Sequence, residues 1–325
     1  MKALVCKVYG DPSHLVYEEV PSPILPAGSV RIAVHAIGIN RADAIQVAGR
    51  SQPAIALPFS PGFECSGTVI ECGPEVQAFH PGERVLAIMS YGAYAEEVVV
   101  PTAHVAHIPP TMDMLTAAAF PVAHLTAYLA LVHRGQIKPG ETLVISGATG
   151  KVGSAALEIA TRLGATVIAV TGRPEQLQAA PTMVLHPHQE DLAAQLMAQT
   201  SGQGVDLVFD TVGGNLFEAA WSCLAWEGRV LAVGFASGQI PQFSLLQALR
   251  KNGAVIGFEL GGYLTRNLAL TPQALTTLLS WYEKGELTPR SPQAYPLAEG
   301  GNILQRLIDH KIQEKIVLRT SHEQE

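Results

Sequence analysis

Thr142-Leu143-Val144-Ile145-Ser146 runs straight into Gly147-Ala148-Thr149-Gly150-Lys151-Val152-Gly153 and then Ser154-Ala155-Ala156-Leu157-Glu158-Ile159-Ala160. The short apolar run reads as a buried strand, the glycine-rich string as a tight turn and the last run as a helix. Glycines let the backbone turn sharply and approach a pyrophosphate, whose charge then sits at the helix N-terminus. The string departs from G-x-G-x-x-G in having Ala148 where the first glycine would stand. It is not a P-loop, because Val152 rather than Ser or Thr follows Gly150-Lys151 and Ile145 occupies the first glycine position. An ordinary βα turn is the competing reading. The strand–turn–helix setting and the strands downstream favour a dinucleotide site.

Downstream, further apolar runs alternate with helical segments. The strands read as Thr166–Val170, Met183–Leu185, 205–209, 229–233 and 254–258, and the helices include Leu245–Lys251. Strands joined by crossover helices predict a doubly wound parallel sheet of six strands, counting 142–146. The first hundred residues differ, with short apolar runs (3–8, 30–39, 68–70, 84–89, 93–100) punctuated by Pro and Gly. That spacing predicts a small, irregular β-rich barrel. Past residue 289 come proline-broken segments, then a helix over 300–310 and a strand over 315–319. The expected architecture is α/β: a β-rich domain over 1–118 and 263–325, interrupted by a dinucleotide domain over 119–262.

Composition excludes several classes. The 325 residues are 48% hydrophobic and 15% charged, the reverse of a disordered chain. A net charge of −7 lacks the clustered basic footprint that nucleic acid requires. Four cysteines without a C-x-x-C make no disulfide framework and suit a reducing compartment. Mean hydropathy is +0.22, and the longest uncharged run spans residues 114–132, but Pro121, His124, Thr116 and Thr126 interrupt it. It reads as a buried helix beside a cofactor rather than a membrane span. Met1 to Lys7 lacks the apolar core and cleavage site of a signal peptide. The expectation is a soluble cytoplasmic protein with no membrane or nucleic-acid partner.

The second strand ends at Thr171-Gly172-Arg173, where a carboxylate would read the ribose 2′-hydroxyl of NAD and an arginine would accommodate a 2′-phosphate. No carboxylate precedes Glu175, so Arg173 points to NADPH over NADH. The alternative for Arg173 is a solvated surface side chain.

With these features in place, the chain resembles the medium-chain dehydrogenase/reductase superfamily, and within it the zinc-free quinone oxidoreductase branch. The carriers include Gly38-Ile39-Asn40-Arg41-Ala42-Asp43, Pro61-Gly62-Phe63-Glu64, Pro81-Gly82-Glu83-Arg84-Val85, Leu125-Thr126-Ala127-Tyr128, the glycine loop, the run from Gly204 to Gly214, Gly234-Phe235-Ala236-Ser237-Gly238, and Glu314-Lys315-Ile316-Val317-Leu318. The resemblance implies a GroES-like β-rich catalytic domain plus a Rossmann domain. It also assigns cofactor contacts to Thr126, Gly147, Ala148, Gly150, Lys151, Val152, Gly153, Arg173, Gly234, Phe235 and Ala236, and it places Asn40 in the substrate cleft to bond a carbonyl oxygen. The other reading of Asn40 is a turn amide bonding its own backbone. A homodimer joined through the apolar edge strand 254–258 is the implied assembly.

Zinc-dependent relatives carry Cys and His at the two sites matched here by Asn40 and Phe63. An amide is a poor zinc ligand and a phenyl ring is none. No metal is expected, and without a Lewis acid the fitting chemistry is hydride transfer to a strongly accepting quinone or activated carbonyl. The chain also departs from its relatives. Gln176 stands where relatives often carry a Lys for the 2′-phosphate and Pro187 where they often carry a Tyr near the adenosine, leaving Arg173, helped by His186 or His188, to bind the phosphate. The segment from Gln176 to Met183 is also about four residues shorter than is usual in the family it resembles. No Tyr occurs at Ile45 or Ser51, where enoyl reductases place a proton donor. Reduction of 2-alkenals or enones and non-catalytic NADPH binding remain the alternatives to quinone reduction. Loops 50–57 and 261–270 would wall the substrate.

Overall fold

The computed structural model describes the chain apart from residues 178, 188–190, 267–268, 313–314 and 322–325. His188, Glu314 and part of the 261–270 wall therefore lie outside the described residues. The chain divides into two compact units, Met1–Val122 with Gly261–Glu283 and Pro289–Glu325, and Ala123–Leu260 with Lys284–Thr288.

The second of these units holds a six-stranded sheet in the order Met183–Leu185, Thr166–Val170, Thr142–Ser146, Val205–Asp210, Leu224–Ala232 and Ala254–Gly257. Every adjacent pair is parallel. Numbered along the chain, that order is 3-2-1-4-5-6, the doubly wound arrangement the alternating pattern predicts. The central strand is apolar because helices cover both its faces: Leu143, Val144 and Ile145 are all fully buried. The helix Lys151–Arg162 presents an unbroken buried run from Gly153 to Ala160, and its small residues (Ala155, Ala156, Ala160) let it lie close to the sheet.

Two polar anchors complete this unit. Glu158 Oε1 on that helix accepts hydrogen bonds from the Thr288 amide (3.0 Å) and hydroxyl (3.2 Å). Arg162 Nε donates to Glu286 Oε2 at 2.6 Å. Together they explain why residues 284–288 return to this unit from the far end of the chain. Arg229 grips Glu141 with both terminal nitrogens, at 3.0 and 2.7 Å. It also donates to the carbonyls of Gly135, Gln136 and Asp206.

In the other unit, the strand Ser29–Gly38 is the organiser. One edge pairs with Glu64–Cys72, and the other with Glu97–Pro101 and then Ile316–Arg319. Arg84–Ile88 and Val105–His107 extend the sheet on one side and Gln293–Pro296 on the other, seven strands in all. All these pairings are antiparallel except Gln293–Pro296 with Ile316–Arg319. A separate hairpin pairs Lys2–Val5 with Val16–Glu19. Alternation along the organiser buries Val30, Ile32 and Val34 in a core shared with Tyr94, Val85 and Leu318.

The uncharged run of residues 114–132 is not one helix. Met114–Ala118 ends, and Pro121 opens a second helix, Pro121–Tyr128, which widens over Leu129–Arg134. Proline is well placed at the first helical position, where its missing N–H is no loss. No helix among the described residues is long and apolar enough to cross a membrane. All four thiols, Cys6, Cys65, Cys72 and Cys223, are free.

The Arg229–Glu141 pair yields a pH prediction. Burial raises the Glu141 carboxyl, but hydrogen bonds from Arg229 and the Lys138 amide outweigh it, so the net shift is downward. A carboxylate held lower in the folded than in the unfolded state stabilises at pH above its unfolded value of about 4.3, and that contribution fades as pH falls through the folded value. Replacement R229M should cost about 3 kcal/mol at neutral pH and shrink the loss of stability on acidification. Urea unfolding at pH 7 and pH 4 checks both.

Candidate active site

The chain order of the parallel sheet reverses between Thr142–Ser146 and Val205–Asp210, and in sheets of this kind ligands bind beyond the strand ends at such a reversal. A buried carboxylate fastens this point. Asp210 Oδ1 accepts from the Ser146 hydroxyl, from the Val212 amide at 2.9 Å and from the Gly213 amide at 3.0 Å. The Thr211 amide donates to Ser146 Oγ (3.1 Å), and the Thr211 hydroxyl to the Ser146 carbonyl (2.8 Å).

The glycine loop is shaped by backbone crowding. Gly147 has φ +68°, and a Cβ there would lie 2.7 Å from Thr211 Oγ1. A Cβ on Gly153 would collide with the Gly147 carbonyl. The Gly147 amide donates to the Val170 carbonyl (3.0 Å), and the Gly150 amide to the Gly147 carbonyl (2.9 Å). Gly150 is the N-cap of Lys151–Arg162 and has no side chain to bond the first-turn amides. Those amides, with Lys151 and Val152 half-buried beside them, form a cradle that suits a pyrophosphate.

Two neighbouring segments extend the edge. Gly234 and Ala236 donate their amides to the carbonyls of Asp210 (3.2 Å) and Thr211 (3.0 Å). The Phe235 ring lies against Gly213, where a Cβ would meet Phe235 Cδ1 at 2.9 Å, and Phe235 is 42% exposed. On the other side the Thr149 and Thr171 hydroxyls are 2.8 Å apart, and the Arg173 amide donates to Thr171 Oγ1 at 3.1 Å. His186 approaches Gly172, the residue before Arg173: its Nε2 lies 3.5 Å from where a Gly172 Cβ would be. The structure thus places Gly147, Ala148, Gly150, Lys151, Val152, Gly153, Gly234, Phe235 and Ala236 just past the C-terminal ends of Thr142–Ser146 and Leu224–Ala232, with Arg173 beyond the end of Thr166–Val170. Thr126 is buried on Pro121–Tyr128.

Within the β-rich unit, Asn40 is the N-cap of Arg41–Val47. Its backbone amide donates to Asp43 Oδ2 (2.7 Å), which also accepts from the Tyr94 hydroxyl (2.8 Å). Its side-chain Nδ2 donates to Glu64 Oε1 at 3.0 Å and is 3.5 Å from the Gly38 carbonyl. Burial pushes the Tyr94 phenol well above its ordinary range, with the Asp43 charge and hydrogen bond adding to it, so Tyr94 remains a donor. Gln46 clamps the neighbouring loops, donating to the Ser90 carbonyl (2.6 Å) and accepting from the Gly62 amide (2.9 Å).

Sequence reasoning passed over Asp210, Ser146, Glu64 and Tyr94. A polar residue closing an apolar strand just before paired glycines, as in Phe209-Asp210-Thr211-Val212-Gly213-Gly214, was the available signal for the first.

A family model described as alcohol dehydrogenase GroES-like domain matches residues 26–110, and one described as zinc-binding dehydrogenase matches 152–281. Fold, switch-point loop and both matches define a two-domain dehydrogenase/reductase. Bos taurus quinone oxidoreductase-like protein 2 is 34% identical over 310 residues, 94% of this chain and 88% of the relative. Escherichia coli quinone oxidoreductase complexed with NADPH superposes with a TM-score of 0.88 at 28% identity, covering 98% of this chain and 100% of that one. The Pseudomonas syringae quinone oxidoreductase gives 0.88 at 27% identity, covering 98% and 99%. The chain belongs to the quinone oxidoreductase-like group of the medium-chain dehydrogenase/reductase superfamily.

The loop crowding makes a direct prediction. Because the atom that a Gly153 Cβ would meet is backbone, no rotamer change relieves it. G153A should cost about 2 kcal/mol and weaken dinucleotide binding about tenfold. Denaturant unfolding and a fluorescence titration with NADPH read the two effects.

Proposed function

We propose that the protein is a zinc-independent reductase that moves a hydride from NADPH to a quinone or similarly activated carbonyl. The observation that carries this reading is the glycine cradle at the switch point, whose second strand ends in Thr171-Gly172-Arg173 with no carboxylate. NADPH, when bound, supplies the hydride and its nicotinamide ring. Gly147, Ala148, Gly150, Lys151, Val152 and Gly153 hold the pyrophosphate through amides and helix polarity. Arg173 meets the 2′-phosphate as a planar multiple donor, with His186 beside it. Thr126, Gly234, Phe235 and Ala236 orient the nicotinamide, and Asn40 meets the acceptor's carbonyl.

Zinc does not fit the positions that would hold it. The Asn40 side chain is a neutral amide and a poor zinc ligand, Phe63 has no donor atom, and the described residues hold no cluster of three or more His, Cys, Asp or Glu suited to a metal. A quinone needs no Lewis acid, since the hydroquinone anion it yields is a weak base that water can protonate. The chain's task is then positioning and exclusion of water.

We also propose a homodimer. The strand Ala254–Gly257 ends the parallel sheet with an open edge, and the helix leading into it exposes Leu245 (83%) and Leu249 (72%). A second copy adding its own edge would cover both features.

Absorbance-monitored NADPH oxidation with an ortho-quinone and EDTA tests the function, with NADH and a 2-alkenal in parallel. Turnover with NADPH and quinone is expected, and R173A should raise KM for NADPH at least about tenfold while leaving NADH unchanged. Turnover of the alkenal alone, or of nothing, overturns the quinone reading. Light scattering should return twice 34.5 kDa, falling to the single mass in V255D; a monomeric wild type sinks the dimer.

A further inference from the structure

A buried carboxylate next to Asn40 has no part in the scheme above. Glu64 is fully buried, and its two oxygens do different work. Oε1 accepts from Asn40 Nδ2 at 3.0 Å, and Oε2 accepts from the Val122 amide at 2.7 Å. Val122 lies in the first turn of Pro121–Tyr128, where a negative charge is favoured by the unbonded amides. Both carboxylate oxygens of Glu64 therefore face donors and serve as acceptors. The neighbouring backbone has been cleared for it, since a Cβ at Gly38 would overlap both Glu64 Oε1 and the Ala118 carbonyl.

We infer that Glu64 is a positioning residue of the acceptor site, acting through Asn40, an inference that rests on the reading of Asn40 as the acceptor's partner. An asparagine amide has two nearly equivalent orientations about its last torsion. Glu64 selects the one with Nδ2 inward, because the reverse would set two acceptor oxygens against each other. Asp43 fixes the same residue from behind by accepting its backbone amide, and Tyr94 fixes Asp43. With the backbone held and the amide unable to flip, one N–H is bound to Glu64. The other faces the Gly38 carbonyl at 3.5 Å, a contact weak enough for an acceptor's carbonyl oxygen to replace. In E64Q that choice is lost: the new amide keeps the size of the side chain and can still accept from Val122, but it can turn an N–H toward Asn40 and admit the flipped form.

A double-mutant cycle of N40A and E64Q tests this, with kcat and KM for quinone, the Kd of NADPH and the thermal midpoint measured for each variant. E64Q should lower kcat/KM for quinone about tenfold with NADPH affinity within about twofold of wild type. In the N40A background the same change should alter kcat/KM by less than about twofold. An undiminished effect of E64Q in the N40A background overturns the inference, as does E64Q with wild-type kinetics. Should E64Q fail to fold, NMR of deuterated wild-type protein decides. The Asn40 side-chain 15N–1H pair, assigned by its loss in N40A, should show one strongly downfield proton; two ordinary exposed-amide shifts overturn the inference. A wild type that turns over no quinone sinks the preceding function reading instead, and the amide signature still settles whether Glu64 holds Asn40.

Discussion

One carboxylate oxygen keeps the reversal point of the parallel sheet in order. Asp210 Oδ1 is the common acceptor for the Ser146 hydroxyl and the amides of Val212 and Gly213. Ser146 in turn accepts from the Thr211 amide, so the ends of two adjacent strands are laced together where the chain order reverses. Burial makes this arrangement demanding. A desolvated carboxylate costs several kcal/mol unless its lone pairs are met, so the loop after the strand must take the one course that meets them. That course needs left-handed backbone at Gly213 (φ +71°) and Gly214 (φ +58°), which explains the paired glycines.

The glycine loop follows from the same constraint. Thr211, set by Asp210, stands where a side chain on Gly147 would go, and the Gly147 carbonyl stands where one on Gly153 would go. Each glycine is therefore required by a neighbour already fixed in place, and the loop has little freedom to rearrange. A surface of that rigidity holds a pyrophosphate without paying to order the loop first. The β-rich unit uses a parallel device: Glu64 and Asp43 are both fully buried, both accept from Asn40, and Glu64 also accepts from the Val122 amide and Asp43 from the Tyr94 hydroxyl. Gly38 is the counterpart of Gly147, a residue whose missing side chain makes room for the carboxylate.

What was legible in the sequence was whatever repeats along it. The six parallel strands were visible as apolar runs of buried-strand length, and the helix Leu245–Lys251 fell at its expected bounds. The glycine loop was visible because backbone geometry restricts residue choice there. The short helix Arg41–Val47 went unread because seven residues give too little periodicity, although Asn40 and Asp43 at capping distance marked its start. The strands Val16–Glu19 and Gln293–Pro296 were missed for a related reason: both are short and contain no fully buried residue, so apolar alternation is weak. The 114–132 run misled on continuity, because composition showed it apolar but only the first-position preference of Pro121 showed where it breaks. Asn40 was found by resemblance, whereas Glu64, Asp43 and Tyr94 gain their meaning from contacts 24, 3 and 51 residues apart along the chain, and no window on the sequence contains them all.

That long-range network bears on how an acceptor site without metal ligands could work. A zinc ion polarises an oxygen by brute charge and tolerates some looseness in the donor around it. A neutral amide contributes far less per contact, so its value depends on being already in place when the acceptor arrives. Orientation must then come from neighbours, and the neighbours must be more strongly fixed than the group they hold. Two buried carboxylates, a phenol that burial keeps protonated and a helix-start amide meet that requirement around Asn40. On the reading proposed here, the protein replaces the strength of one ligand-bound charge with the rigidity of several buried ones. That exchange suits an acceptor already electron-poor enough to take a hydride with modest help, and it would serve an unactivated ketone badly.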